Sequence, residues 1–158
     1  MNEIKNNIGL DTGLTKDLAD KLNNLLANYH IFYMNARGFH WNIKGEKFFE
    51  LHVKFEELYT DALIKIDEIA ERILTLGYSP VHSFSDYVSD SQINEIKNIS
   101  DGNIAVGSIL NGFKILLESE REILELSEKA KDEGTNSLMS DYIPQQEKLV
   151  WMYSSYLN

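Results

Sequence analysis

The sequence contains no cysteine, which excludes disulfides, thiolate zinc sites, iron–sulfur clusters and cysteine nucleophiles. Only 2 prolines and 9 glycines interrupt its 158 residues, too few turn formers for a loop-rich or all-β chain. No run approaches the ~18 apolar residues that span a bilayer. The opening stretch, MNEIKNNIGLDTGL, offers neither an apolar signal core nor an arginine-rich transit pattern. Phosphate-binding glycine loops and G-x-S-x-G elbows are missing as well. Basic residues are scarce: 15 Lys and Arg stand against 25 Asp and Glu, a formal charge of −10. Such a chain repels nucleic acid and anionic membrane on average and attracts cations. These absences describe a soluble, helical protein, expected in the cytoplasm.

What is there is helical periodicity. Residues 1–14 read as a short flexible arm and 15–158 as one domain. From Thr15, a suitable N-cap, Leu18, Leu22, Leu25, Leu26, Tyr29, Phe32, Tyr33 and Ala36 repeat at i, i+3, i+4, i+7 spacing. Gly38 to Gly45 reads as a connector. A second helix spans Glu46 to Leu76, with Gly77 as its C′ residue. The stretch 77–101 is rich in Ser, Asp and Pro chemistry and has room for a short helix at Ser91–Lys97. A third long helix covers Asn103 to Lys131 and is stopped by Gly134. The fourth covers Thr135 to Tyr156, with a kink expected at Pro144. Four long helices with one long link predict an all-α, ferritin-like four-helix bundle, the link crossing the bundle so that helices two and three run parallel.

Histidines and carboxylates crowd the first half: His40, His52, Glu56, Asp67 and Glu71. Imidazole with carboxylate suits iron, manganese or zinc. At ~100° per residue, Glu56 lies ~40°, Asp67 ~60° and Glu71 ~100° around the helix from His52, so all four share one stripe. But His52 and Asp67 stand ~22 Å apart along the axis and cannot hold one ion within a chain. His40, just before the turn into helix two, is expected near His52, so the chain offers two half-sites at opposite ends of the stripe, His40 with His52 and Asp67 with Glu71. Two such helices packed antiparallel about a two-fold axis would complete each half with the partner's other half, twice per dimer. A metal pair inside one bundle needs Glu-x-x-His motifs. Here Ala27, Arg37, Phe49 and Ser79 precede the four histidines by three residues.

These residues carry a resemblance. The pattern Gly38-Phe39-His40-Trp41-Asn42-Ile43, Phe48, Leu51-His52, Asp67-Glu68-Ile69-Ala70-Glu71-Arg72-Ile73 and Gly77 is similar to that of the Dps family, the mini-ferritins. Ser79-Pro80, Glu147-Lys148 and Trp151-Met152 extend the likeness over the chain after residue 15. The resemblance implies a hollow homododecamer of tetrahedral symmetry with a di-iron ferroxidase centre at the two-fold interface. It implies His40 and His52 from one subunit, Asp67 and Glu71 from the other, and Glu56 helping to hold the second iron. It places Trp41 beside the centre and lets Arg37 pair with the mate's Asp67. The activity implied is oxidation of Fe²⁺, preferably by hydrogen peroxide, and storage of ferric mineral.

Two departures from the family pattern stand out. Family members that bind DNA carry a basic N-terminal arm, whereas residues 1–14 hold only Lys5 against Glu3 and Asp11; DNA binding is therefore not expected. The acids that flank the Thr opening helix four in the family are Gly134 and Ser137 here, leaving Asp132, Glu133 and Asp141 as candidates for an iron inlet. Among other groups, His30 reads as a packing residue, His82 as solvated, and Met34, Met139 and Met152 as core filler. A DNA-compacting protein and a bundle without catalysis are the competing readings.

Overall fold

The computed structural model describes residues 4–158. Five helices follow in order: α1 (Thr12–Asn42), α2 (Phe48–Thr75), α3 (Phe84–Asp90), α4 (Gly102–Ala130) and α5 (Glu133–Leu157). The four long ones form the bundle. His40 meets His52 and Tyr33 meets Tyr59, so α1 and α2 are antiparallel. Lys21 reaches Glu122 and Phe32 packs on Phe113, so α1 and α4 are antiparallel too. It follows that α2 and α4 run parallel, as the long crossover predicts. Arg121 on α4 pairs with Glu147 on α5 at 2.9 Å, and Glu68 on α2 accepts from Tyr142 on α5 at 2.6 Å. The core is a continuous set of aliphatic and aromatic side chains, with Leu18, Leu22, Leu25, Phe55, Ile69, Ile73 and Leu116 removed from solvent.

Several boundaries move for identifiable reasons. The cap of α1 is Asp11, whose carboxylate accepts from Leu14 N at 2.9 Å, and Thr15 lies one turn inside with its hydroxyl on Asp11 O. Thr12 to Leu14 therefore belong to the helix and not to the arm. Residues 4–11 fold back on themselves: Thr12 N donates to Ile4 O, and Asn6 Nδ2 donates to Leu76 O at 3.3 Å. Residues 1–3 of the expected arm lie outside the described residues. The Gly38 segment does not interrupt α1, which runs on to Asn42; the connector is only 43–47. Gly77 has φ +95°, with its N–H on Leu74 O and that of Tyr78 on Ile73 O. That is the complete Schellman closure expected of a C′ glycine.

The short helix sits at Phe84–Asp90, not at Ser91–Lys97. Ser83 caps it through Asp86 N at 3.3 Å. Buried Asn28 and Asn35 on α1 hold the later stretch in irregular conformation. Asn28 Oδ1 accepts from Gln92 N and Ile93 N, and Asn35 takes Asn94 O and Ile96 N. Side-chain amides that satisfy a backbone this way compete with helical hydrogen bonds.

The end of α4 also differs from expectation. Lys131 takes the left-handed conformation there, φ 55°. Gly134 stops nothing; it lies in the first turn of α5, where a Cβ would come within 2.6 Å of Arg72 Nη1. Glycine is needed at that point for close approach, not for a turn. α5 remains helical through Pro144. No helix of the described residues is long and apolar enough to cross a membrane.

Candidate metal centre

The short connector folds the last turn of α1 onto the second turn of α2. Gly45, at φ +102°, and buried Ile43 make that reversal. His40 and His52 then stack with ring centroids 3.8 Å apart, 13° from parallel. Their backbones lock them reciprocally: His40 Nδ1 lies 2.6 Å from His52 O, and His52 Nδ1 lies 2.7 Å from His40 O. A carbonyl only accepts, so each Nδ1 carries the proton. In the neutral ring this tautomer leaves the lone pair on Nε2, the arrangement that ligates a metal.

Aromatic rings surround the pair. Phe48 stacks on His52 at 5.0 Å, and Tyr59 meets His40 edge-on at 5.2 Å. Neither was singled out from the sequence as a site residue. The available signal is helical register, since Phe48 and Tyr59 stand four residues before and seven after His52. Arg37 is half-buried, its guanidinium against Trp41 at 4.9 Å, Tyr59 at 5.4 Å and Tyr33 at 5.8 Å. It donates to the Tyr33 hydroxyl, while its buried Nε has no partner in the chain. It is not a plain surface cation. Trp41 is 58% exposed and so is not a core aromatic.

Asp67 and Glu71 sit far along α2, both exposed, and Glu56 is exposed between the two ends. Within one chain the structure does not bring the carboxylates to the histidines. Among the described residues no three His, Asp or Glu side chains gather to hold an ion. The stripe carrying these residues also exposes Phe49, Val53, Leu63 and Leu74. By register all of them lie within an arc of about 100° that includes His52, Asp67 and Glu71. Apolar side chains set among candidate ligands on one outward face have the composition of a contact surface. Met34 and Met152, expected in the core, are exposed as well; only Met139 is buried.

Of the proposed inlet acids, Asp132 is corrected. It is 1% exposed, caps α5 through Thr135 N at 3.0 Å, and is bridged by Arg72 Nη2 at 2.6 Å. Its oxygens face a guanidinium and a helix N-terminus, and it is a structural anchor with nothing left for a passing ion. Glu133 and Asp141 are exposed. His30 packs as expected, stacked on Tyr87 at 3.9 Å, and burial lowers its pKa. His82 is exposed.

Comparison with known proteins agrees with this fold. A family profile described as a ferritin-like domain matches residues 19–158. A DPS protein from Vibrio cholerae O1, described as a member of a broad superfamily of ferritin-like diiron-carboxylate proteins, superposes with a TM-score of 0.96. It is 57% identical, with 100% of each chain covered. The DNA protection during starvation protein of Porphyromonas gingivalis is 39% identical over 99% of this chain and 98% of its own length. An uncharacterized protein of Haemophilus influenzae is 54% identical over 96% of this chain and 94% of its own length.

Proposed function

The chain belongs to the Dps proteins of the ferritin-like family, and from that premise we propose that it oxidises Fe²⁺ with hydrogen peroxide at a site completed across a two-fold subunit contact. The observation that carries this reading is the reciprocal lock on His40 and His52, whose Nδ1 atoms are both engaged by backbone carbonyls, leaving Nε2 as the nitrogen available to an ion. The complementary acids, Asp67 and Glu71, stand exposed on the same stripe at the other end of α2. An antiparallel second copy brings each half to the other. Glu56 lies between them to assist a second ion.

The donor set fits iron. Carboxylate and imidazole suit Fe²⁺, and oxygen ligands favour the harder Fe³⁺ still more. Two irons held together each give one electron to one peroxide. The peroxide then takes up two protons and leaves as two waters, so no hydroxyl radical is released. His40 and His52 hold the irons as neutral ligands, with their tautomer fixed by the opposite backbone. Asp67 and Glu71 supply negative charge that grows in value as the metal charge rises. Arg37, with its unpartnered Nε, is placed to meet a partner's carboxylate, and Trp41 covers the site's edge. Assembled as a hollow dodecamer, such a protein stores the ferric product inside and removes both reactants of oxidative damage.

The relatives' name speaks of DNA protection, but a formal charge of −10 per chain opposes coating of duplex DNA. Clustered Lys or Arg is what non-specific binding needs. We assign any protection to the removal of iron and peroxide. A gel shift in metal-free buffer at physiological salt is expected to show no retardation; salt-sensitive retardation at micromolar protein overturns that assignment. Anaerobic Fe²⁺ titration followed by peroxide, with the assembly mass measured by light scattering, tests the main reading. The expected result is saturable iron binding and rapid, peroxide-dependent oxidation by a twelve-subunit particle. A monomer, or oxidation no faster than in buffer, refutes it.

A further inference from the structure

The middle of the bundle holds an acid that the metal chemistry does not use. Glu120, on α4, is 0% exposed. Its register is that of a core residue, three or four positions from Leu116, Leu117 and Ile123, which are also buried. The Tyr29 hydroxyl from α1 donates to its Oε1 at 2.7 Å. Gln146 from α5, 2% exposed, donates its amide N–H to the same hydroxyl. Two acceptors are left over in this layer, Glu120 Oε2 and Gln146 Oε1, both buried and both without a donor. Unsatisfied buried acceptors are costly, and a buried, unpaired carboxylate more so.

The cations nearby are committed elsewhere. Lys65 on α2 is held by Asp61 at 2.6 Å and lies over the Tyr142 ring, and Arg121 on α4 pairs with Glu147. Tyr142, from α5, donates to Glu68. Thus α1 and α5 present only hydroxyls and an amide to Glu120, and neither cation bonds to it.

We propose that Glu120 is a built-in proton site: it folds as a neutral carboxylic acid whose O–H is given to the Gln146 amide oxygen, and its ionisation loosens the α1–α4–α5 layer. One proton turns Oε2 from an unsatisfied acceptor into a donor, and Gln146 Oε1, left without a donor in the same layer, is the acceptor the proposal assigns to it. Burial, the dominant influence, pushes the carboxyl up to about 7, against the pull of Tyr29, Gln146, Lys65 and Arg121 toward the anion. The folded value therefore lies above the unfolded one. The stabilisation is fully present below the unfolded value of 4.5 and is lost as pH rises through about 7. The proton site belongs to each bundle by itself and is independent of iron.

Difference infrared spectroscopy of the metal-free assembly reads this directly. Wild type minus Glu120→Gln at pH 6 is expected to show the carbonyl band of a protonated, buried carboxylic acid, fading with a midpoint near neutrality. No such band, or a midpoint at or below pH 5, overturns the proposal. In thermal unfolding, the advantage of Glu120→Gln over wild type is expected to grow by about 5 °C or more between pH 5 and pH 8. A pH-independent difference contradicts it. Should Glu120→Gln fail to fold, Tyr29→Phe serves. Losing the hydroxyl that favours the anion moves the infrared midpoint upward, and an unchanged or lower midpoint contradicts the circuit.

Discussion

The two ends of α2 solve different problems. At its start, His52 is fixed before any ion arrives: its ring is stacked on His40 and Phe48, and its Nδ1 is tied to a backbone carbonyl. Near its end, Asp67 and Glu71 stand exposed, and the rigidity lies beneath them. Arg72, next to Glu71, is clamped from below by Asp132 and Thr135 of α5. One half-site is organised in its ligands, the other in its scaffold. The difference gives a physical reason for the proposal that each half needs the other. The histidines supply oriented lone pairs without charge, and the carboxylates supply charge without an oriented cage. On the proposed reading, an ion that needs both is captured where two subunits meet.

Substituting the ligands breaks the comparison most severely. His52→Ala and Asp67→Ala are each expected to nearly abolish peroxide-driven Fe²⁺ oxidation, a larger loss than the roughly 10–100-fold that a supporting residue around a metal is worth. Asp67 is exposed, so Asp67→Ala should unfold within about 0.5 kcal/mol of wild type. Stopped-flow oxidation and denaturant unfolding on the same samples decide this. Substantial residual oxidation in either variant would show that its half-site is dispensable.

Next in size is the scaffold under the carboxylate end. Asp132→Ala leaves Arg72 without its buried partner and α5 without its cap, and is expected to cost on the order of 3 kcal/mol. Urea unfolding measures it; a loss under about 1 kcal/mol would mean the ion pair is not the anchor. The smallest effects sharpen the contrast between the ends. Phe48→Leu removes the ring stacked on His52 and is expected to cost about 1 kcal/mol and weaken iron binding. Thr75→Ala, beside Glu71, is expected to stay within about 0.5 kcal/mol and leave iron binding alone. Equal effects at both ends would erase the distinction between an organised ligand pair and an organised scaffold.

Much of this was legible in the sequence, where information is local. Helical register displayed α1, α2, α4 and α5, and the long link displayed the parallel course of α2 and α4. The placement of His52, Glu56, Asp67 and Glu71 along one stripe of α2 followed from the helical repeat alone. What stayed hidden depends on partners far along the chain. The irregular course of residues 92–96, where a short helix was expected, is held by Asn28 and Asn35, about sixty residues earlier. Asp132 read as a free acid because its partner, Arg72, lies 60 positions earlier. Glu120 kept core register in plain view but carries a charged letter, and the burial and the Tyr29 and Gln146 contacts that motivate the proposed proton there come from the folded packing alone.

The central claim is that each metal site draws on two chains, and mixed assemblies of His52→Ala and Asp67→Ala subunits test it most directly. In a dimer of one of each, both lesions fall at the same interface site. The other site receives an intact His52 from one chain and an intact Asp67 from its mate. Refolding the two variants together, with mixing verified by mass, is expected to restore peroxide-dependent Fe²⁺ oxidation at one site of two in every mixed dimer. Activity no higher than that of either variant alone, in assemblies proven mixed, would place the whole site within one chain and contradict the account.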